Sequence, residues 1–176
     1  HNAAYGIGAM DAITTGDQNS ALGYNALSAN NTGAQNTAMG RLSLEANTSG
    51  DNNTAYGSST LSANSTADDN TAIGKGSMQA NTTGAANTAV GKDSLKANTT
   101  GTRNLAIGYQ AYTASDTEND NLAIGYQAMV TNTAGGTGNL ALGNYVLDVL
   151  TSGGYNVGIG LNALSANTTG NNNVGV

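Results

Sequence analysis

The chain lacks several residue types on which protein function often depends. Its 176 residues include no Cys, Pro, Phe or Trp, and only 9% of them are charged. Without Cys the chain can form neither disulfide bonds nor metal sites with thiolate ligands. The formal net charge of −6 argues against nucleic acid or an anionic membrane surface as a partner. No apolar run approaches the roughly 20 residues that a membrane-spanning helix requires, so we expect no membrane insertion.

What the sequence has instead is a tandem repeat with a period of 17 residues. A short motif that opens with Asn recurs along the whole chain, and the spacing is 18 only once, between Asn121 and Asn139. The units begin at Asn2, Asn19, Asn36, Asn53, Asn70, Asn87, Asn104, Asn121, Asn139 and Asn156, and a final stub begins at Asn173. A fixed period of this length is typical of solenoids and other repeat architectures. We therefore expect residues 1–176 to form a single tandem-repeat segment of a longer fibrous chain.

The pattern inside one unit favours β-structure over helix. We number the columns of a unit from its opening Asn, so that column 3 is nearly always Ala, column 4 is large and apolar, and column 5 is always Gly. A second apolar pair follows at columns 8 and 9, as in Ala26-Leu27 and Ala163-Leu164. Alternation with a period of two indicates short strands, and a Gly and an Asn-Thr turn in every unit would interrupt a helix. The pattern predicts two short strands per unit.

These units predict an all-β fold, a parallel β-solenoid of ten 17-residue coils. Successive coils would stack at about 4.8 Å, the usual separation of neighbouring strands. The constant Ala and Gly columns fit a close approach between the two walls of a thin coil. Identical residues in successive coils also predict ladders of Asn and Thr side chains along the axis.

Column 2 changes its character halfway along the chain. It holds Ser or Thr from Ser20 to Thr88, and it is aliphatic from Leu105 onward. An extra aliphatic side chain in each coil is not expected on a solvated face, so we weigh a wider interior against a contact with another chain and favour the contact. The interface candidates are Leu105, Ile107, Leu122, Ile124, Leu140, Leu142, Val157 and Ile159.

The repeat resembles a known family of surface fibres. The strings Asn104-Leu105-Ala106-Ile107-Gly108 and Asn156-Val157-Gly158-Ile159-Gly160 resemble the head-domain repeat of YadA-type trimeric autotransporter adhesins. The longer pattern, Asn70-Thr71-Ala72-Ile73-Gly74 followed by Ala80-Asn81-Thr82-Thr83-Gly84, is similar to repeats of bacteriophage tail-fibre proteins. The resemblance covers all ten units. It implies a left-handed β-roll, a side-by-side homotrimer, and a structural or adhesive fibre outside the cell or on a virion.

Column 6 holds the candidate receptor contacts. It follows the constant Gly and varies from unit to unit, which indicates an exposed turn edge. Tyrosine and basic side chains at such an edge could contact a glycan or a protein on a host-cell surface. The alternative is that they are ordinary solvated turn residues. The candidates are Tyr24, Arg41, Lys75, Lys92, Tyr109 and Tyr126.

Acidic residues in column 16 suggest one possible metal site. Asp17, Asp51 and Asp68 share this column, and clustered carboxylates in turns could bind Ca²⁺. Ordinary turn-favouring Asp is the alternative, and we expect no other cofactor. Catalytic residues are not apparent, because the only His is His1 and no set of acid, base and nucleophile recurs. The sequence therefore predicts that the chain is not an enzyme.

Three further hypotheses follow from the polar columns and from the repeat itself. Column 12 contains Asn-x-Ser/Thr sequons, which are either glycosylation acceptors or turn residues that bond within the protein. Thr ladders at columns 2 and 13 raise the alternative of an ice-binding solenoid. Stacking of coils from different chains would give a self-assembling extracellular filament. The sequons begin at Asn47, Asn64, Asn81, Asn98 and Asn167.

Overall fold

The chain folds into one parallel sheet of eleven short strands, which follow each other in sequence order. The computed structural model describes residues 1–132 and 135–176. The strands are β1 (Ala3–Tyr5), β2 (Ser20–Leu22), β3 (Thr37–Met39), β4 (Thr54–Tyr56), β5 (Thr71–Ile73), β6 (Thr88–Val90), β7 (Leu105–Ile107), β8 (Leu122–Ile124), β9 (Leu140–Leu142), β10 (Val157–Ile159) and β11 (Val174–Gly175). Each strand pairs in parallel with the one before it and the one after it.

The pairing follows the columns of the sequence repeat. Ala38 of β3 lies opposite Ala55 of β4, and Ala55 lies opposite Ala72 of β5. One repeat is therefore one coil, and we number the coils 1 to 10 from the units that begin at Asn2 and end with the unit of Asn156. The prediction of an all-β parallel solenoid of about ten coils is confirmed. The described residues contain no helix long and apolar enough to cross a bilayer.

The prediction of two strands per coil is wrong, because only columns 2–4 form a strand. Columns 7 and 9 adopt a left-handed backbone in coil after coil, even where the residue is large. Leu27, Leu44 and Leu61 have φ values of 52°, 50° and 49°. This conformation costs an L-residue roughly 1–2 kcal/mol, and it interrupts the extended backbone of a strand. The segment still pairs with the next coil, since the amide of Leu44 donates to the carbonyl of Thr60 at 3.0 Å.

The apolar half of the interior lies between the strand and this turn segment. Column 3 contributes Ala from the strand, and column 9 contributes Leu, Met or Tyr from the opposite wall. Ala72, Ala89, Met78 and Leu95 are all fully buried. Ala leaves room for the long column 9 side chain in a coil that is only two walls thick. The predicted close approach of two walls is confirmed.

Column 5 requires glycine for a reason of backbone geometry. Gly91 has a φ of 133°, a conformation that L-residues rarely adopt. A Cβ atom built on Gly91 would lie 2.3 Å from the carbonyl oxygen of Gly108 in the next coil. The constant Gly therefore permits both the turn after the strand and the spacing of the coils.

The polar half of the interior consists of two asparagine ladders. In column 1, the Oδ1 atom of Asn36 accepts the backbone N–H of Asn53 at 2.9 Å, and the Nδ2 atom of Asn36 donates to the carbonyl of Gly50 at 2.7 Å. In column 12, the Nδ2 atom of Asn64 donates to the Oδ1 atom of Asn47 at 2.9 Å. All of these Asn side chains are fully buried. The predicted Asn ladders are confirmed, and they keep buried amides hydrogen-bonded.

Columns 2 and 4 point away from the interior. In β7 the middle residue, Ala106, is buried, whereas Leu105 is partly exposed and Ile107 is 36% exposed. The same pattern holds in β10, where Val157 and Ile159 flank a buried Gly158. The interpretation of columns 2 and 4 as part of a wider interior is therefore wrong.

Coil 8 accommodates the one extra residue of the array before Gly136. The carbonyl of Gly136 accepts Nδ2 bonds from Asn121 at 2.9 Å and from Asn132 at 2.7 Å, and so Gly136 takes the usual place of column 15. Gly135 is exposed, and a Cβ added to it would meet no atom within 4 Å. Gly135 therefore lies on the outside of a longer turn, while residues 133–134 lie outside the described part of the chain.

Candidate interaction surface

The most distinctive exposed surface is formed by the strands of coils 7–10. There both outward columns are aliphatic, and no charged residue occurs in either column. Ile107, Leu142 and Ile159 are 36%, 41% and 37% exposed, and their column 2 neighbours are partly exposed. We call this surface the leucine face. It consists of Leu105, Ile107, Leu122, Ile124, Leu140, Leu142, Val157 and Ile159, and it includes every residue that the sequence predicted as an interface candidate.

The leucine face is a continuous patch because the register is exact from one coil to the next. Leu105 pairs with Leu122, and Leu122 pairs with Leu140. Coils 3–6 have a hydroxyl at the same position, in a row formed by Thr37, Thr54, Thr71 and Thr88. The same sheet therefore presents one apolar and one polar column in its first half, and two apolar columns in its second half.

A row of tyrosines lies beside the leucine face. The rings of Tyr109 and Tyr126 are stacked, with centroids 5.4 Å apart and an angle of 11° between the ring planes. Tyr145 packs against Tyr126 edge to face, with centroids 5.3 Å apart and an angle of 67°. The three side chains are between 38% and 41% exposed. We call Tyr109, Tyr126 and Tyr145 the tyrosine row.

The ring faces of the tyrosine row are not freely available for a ligand to stack on. Tyr126 has a ring neighbour on both sides, and the Nζ atom of Lys92 lies 5.2 Å from the ring centroid of Tyr109. The neighbouring groups therefore cover much of the ring faces of Tyr109 and Tyr126. Partial burial, followed by the neighbouring Tyr145 and Tyr109, raises the pKa of Tyr126.

The remaining column 6 candidates do not form one cluster. Tyr24 and Arg41 contact each other across adjacent coils, with the guanidinium carbon 6.0 Å from the ring centroid. Lys75 is exposed in coil 5. Lys92 bonds to Asp93 at 3.3 Å, and this contact is the main reason for its raised pKa. All six candidates are exposed at one edge. Lys92, Tyr109 and Tyr126 contact one another in series, and Tyr24 and Arg41 form a separate pair. The host-receptor hypothesis stays a prediction.

The aspartates of column 16 are engaged in hydrogen bonds between coils. The carboxylate of Asp51 accepts the backbone N–H of Ala34 at 2.7 Å, and that of Asp68 accepts the N–H of Asp51 at 2.7 Å. Asp17 bonds to the N-terminal amine, which lowers its pKa. Within residues 1–132 and 135–176, no group of three or more His, Cys, Asp or Glu side chains could hold a metal ion. Calcium binding therefore has no converging set of carboxylates to support it.

Most of the predicted sequons lie in the interior. Asn47, Asn64, Asn81 and Asn98 are fully buried members of the column 12 ladder. Their Nδ2 atoms donate to the preceding asparagine and to the column 15 carbonyl, as Asn81 does at 2.9 Å to both Asn64 and Gly84. The glycosylation hypothesis is wrong for these four residues in the folded chain. Asn167, in the last full coil, is partly exposed.

The hydroxyls of column 13 also bond to the protein. The Oγ1 atom of Thr48 donates to the carbonyl of Ser65 at 3.0 Å, and that of Thr82 donates to the carbonyl of Thr99 at 3.0 Å. These hydroxyls are therefore committed to the neighbouring coil. The ice-binding alternative then depends on the shorter threonine row of column 2.

Coil 7 contains a buried polar cluster that the sequence analysis did not identify. Glu118 is only 2% exposed, and it occupies column 15, where nearly every other coil has Gly. Its Oε2 atom accepts the N–H groups of Asp116 at 2.9 Å and Thr117 at 3.1 Å, and lies 3.5 Å from the hydroxyl of Ser115. Its Oε1 atom accepts the N–H of Gly135 at 3.0 Å. Glu118 thus holds the longer turn of coil 8 through a hydrogen bond.

Tyr112 completes this polar cluster. It replaces the Leu or Met of column 9 and is fully buried, which raises the pKa of its phenol. Its hydroxyl accepts hydrogen bonds from the Nδ2 atoms of Asn121 at 2.6 Å and Asn132 at 3.1 Å. The phenol therefore takes over part of the interior polar network at the point where the Asn ladder of column 12 is interrupted.

The three unusual residues of coil 7 depend on one another. In coil 6, the Oδ1 atom of Asn98 lies 2.3 Å from the position of a Cβ on Gly101, so Asn at column 12 leaves no space for a long column 15 side chain. Ser115 at column 12 provides that space for Glu118. The same change leaves the buried Oδ1 atom of Asn98 without a hydrogen-bond partner. An alignment of the columns would have revealed this cluster, because coil 7 departs from the pattern at columns 9, 12 and 15 together.

Comparisons with protein-family models, with curated proteins and with solved structures found no match to this chain.

Proposed function

We propose that this chain is a structural or adhesive segment of a surface fibre, in which copies associate side by side through the leucine face. The resemblance to adhesin heads and phage tail fibres supports a homotrimer of left-handed rolls outside the cell or on a virion. The function is then mechanical, since a rod of stacked coils projects a tip and repeats weak contacts along its length.

The observation that carries the proposal is the exposure of two aliphatic columns on a flat, uncharged strip. The strip is smaller than the roughly 300–600 Å² of the largest apolar patch on a typical monomer, so the proposal rests on its continuity over four coils with no polar side chain in either column. A matching strip on a second copy would cover these side chains without burying a charge. The overall charge of −6 opposes association of identical chains, and the eight residues of the strip add no charge to this repulsion.

The size of the strip sets the expected strength of the contact. Four coils at about 4.8 Å and a three-residue strand give an area of about 19 Å by 10 Å for each copy. This is well below the roughly 800 Å² per partner of a typical stable interface. We therefore expect association that weakens on dilution in an isolated segment and is multiplied along a longer fibre.

The test is the solution mass of the chain, measured by light scattering over a range of concentrations. We expect a mass that approaches three times 17.4 kDa at high concentration and falls on dilution. The variant Leu105→Thr/Leu122→Thr/Leu140→Thr gives coils 7–9 the column 2 threonine of coils 3–6. We expect the mass of this variant to remain near 17.4 kDa at every concentration. A control, Val149→Thr, changes an exposed aliphatic residue of column 11, outside the leucine face, and should behave as the unmodified chain.

Two results would contradict the proposal. One is a mass of 17.4 kDa for the unmodified chain at every concentration. The other is an unchanged association of the triple Leu→Thr variant. A mass that rises without limit would instead favour the alternative of a self-assembling filament, and it would remove the closed trimer.

A further inference from the structure

The tyrosine row contains a pair of side chains whose arrangement suits a covalent reaction between them. Tyr109 and Tyr126 hold equivalent positions in coils 7 and 8, and their rings are nearly parallel with centroids 5.4 Å apart. The coils are joined next to the rings, where the amide of Gln127 donates to the carbonyl of Tyr109 at 3.0 Å. The rings are 38% and 41% exposed, so a reagent in solution can reach both.

The other tyrosines of the chain are placed differently. Tyr112 is fully buried, and its hydroxyl is held by two asparagines. Tyr5, Tyr24, Tyr56 and Tyr155 are between 49% and 78% exposed, but in the described part of the chain none of them packs against another tyrosine ring. Tyr145 contacts Tyr126 edge to face. The chain therefore has one stacked and accessible tyrosine pair. The four exposed tyrosines without a ring neighbour serve as controls, because they share the exposure of the pair but not its stacking.

We propose that Tyr109 and Tyr126 form a site of oxidative tyrosine–tyrosine cross-linking, in which a peroxidase-type oxidant with hydrogen peroxide joins coils 7 and 8. Each phenol loses one electron and one proton to give a phenoxyl radical. The radicals combine through a new carbon–carbon bond between their ortho positions, and each ortho hydrogen then moves to the phenol oxygen. In total the two tyrosines lose two hydrogen atoms, and one hydrogen peroxide is reduced to two waters.

The fold favours this reaction by keeping the two radicals close together. Reactive groups that are held in proximity react with a high effective concentration, so coupling within the chain should exceed coupling between chains. Because both side chains are more than a third exposed, the rings have room to turn until their ortho carbons meet. The bond would join the coils just beyond the interruption of the asparagine ladder, where Ser115 follows Asn98 and leaves the Oδ1 atom of Asn98 unpaired. The proposal does not depend on self-association.

The positions of the two glutamates allow a direct test. Cleavage of the denatured chain after Glu45 and Glu118 gives the fragments 1–45, 46–118 and 119–176. A bond between Tyr109 and Tyr126 joins the second fragment to the third, whereas a bond between Tyr126 and Tyr145 stays within the third. The dilute chain would be treated with a haem peroxidase and a limiting amount of hydrogen peroxide, and then analysed by mass spectrometry before and after cleavage.

We expect an intact single chain that has lost two hydrogen atoms, dityrosine fluorescence, and a joined fragment of residues 46–118 and 119–176. Tyr126→Phe should reduce the joined fragment at least about tenfold, whereas Tyr24→Phe should leave it unchanged. The proposal is overturned if no joined fragment forms, if Tyr126→Phe gives as much of it, or if the cross-link appears only between chains at twice the mass.

Discussion

Coils 2–6 and coils 7–10 are built on one backbone, yet they differ in what they bury and in what they expose. Coils 2–6 keep an unbroken column 12 ladder from Asn30 to Asn98 and a row of hydroxyls on the outer face of the sheet. Coils 7–10 interrupt the ladder with Ser115 and Leu150, and they carry the leucine face and the tyrosine row. The second half is therefore less regular than the first, both in its interior and on its surface.

Comparison of the two halves separates the residues that form the coil from the residues that change its surface. The strand pairing, the column 1 ladder and the glycine turns are the same in both halves, so they account for the coil itself. The residues that vary between the halves lie on the outer face or replace single interior side chains. Under the proposed function, the second half makes the contacts between copies and the first half is a regular spacer.

The largest expected effect comes from removing the buried carboxylate of coil 7. Glu118→Ala would leave the N–H groups of Asp116, Thr117 and Gly135 without their acceptor, at a cost of about 3 kcal/mol in the free energy of unfolding. The matched change in the first half is Ala67→Gly, at the same column, which should cost less than about 1 kcal/mol. Urea denaturation of both variants measures the difference. Equal costs would mean that Glu118 is not a structural acceptor.

An intermediate loss of stability is expected when an asparagine of the column 12 ladder is replaced. Asn64→Ala removes a side chain that donates to Asn47 and Ala67 and accepts from Asn81, so we expect a loss of about 2 kcal/mol. Ser115→Ala, at the same column of coil 7, removes a long contact to Glu118 and a hydrogen bond to the phenol of Tyr112, and should cost about 0.5–1 kcal/mol. Thermal and urea denaturation would rank the two variants. The reverse order would contradict the account of the two interiors.

The smallest expected change in stability comes from an exposed ion pair of column 17, and this change depends on pH. Arg103 bonds to both oxygens of Asp120 at 2.6 and 2.8 Å, which lowers the pKa of the carboxyl and raises the pKa of the guanidinium. A lowered pKa in the folded state gives stability that is present above the usual Asp value of about 3.9 and is lost as the pH falls through the folded value.

The test of that pair is the variant Asp120→Asn. We expect it to be slightly less stable than the unmodified chain at pH 7, with the difference disappearing as the pH falls through the lowered pKa of the folded Asp120 carboxyl. Asp69→Asn provides the control, because Asp69 accepts only from the neutral amide of Asn52, at 3.2 Å. A difference that grows in acid, or that is as large for Asp69→Asn, would disagree with this assignment.

Much of the fold could be predicted because the same side chain stands at the same place in every coil. The period gave the parallel stacking, and the constant Ala, Gly and Asn columns gave the thin interior and the ladders. The change of column 2 from Thr to aliphatic residues at Leu105 predicted the position of the leucine face. The second strand was wrong because Leu27 and Leu44 adopt a left-handed backbone, which is usually signalled by Gly, Asn or Asp.

The buried cluster could not be predicted from single residues. Ser115 and Glu118 look like ordinary turn residues, and Tyr112 looks like a larger version of the usual Leu. Their shared role depends on space, since a long side chain at column 15 enters the volume that the Asn of column 12 normally occupies. Tyr145 was missed because it lies at column 7, and only the left-handed turn brings its ring beside that of Tyr126.

The most direct test of the central claim compares the two halves of the outer sheet face in one experiment. Because the chain has no Cys, single thiols can be introduced at column 2 by the substitutions Thr71→Cys and Leu122→Cys. At a concentration that permits association, we expect the thiol at position 122 to react with a maleimide at least about tenfold more slowly than the thiol at position 71. The two rates should converge on dilution. Equal rates at every concentration would contradict the claim that the leucine face is covered by another copy.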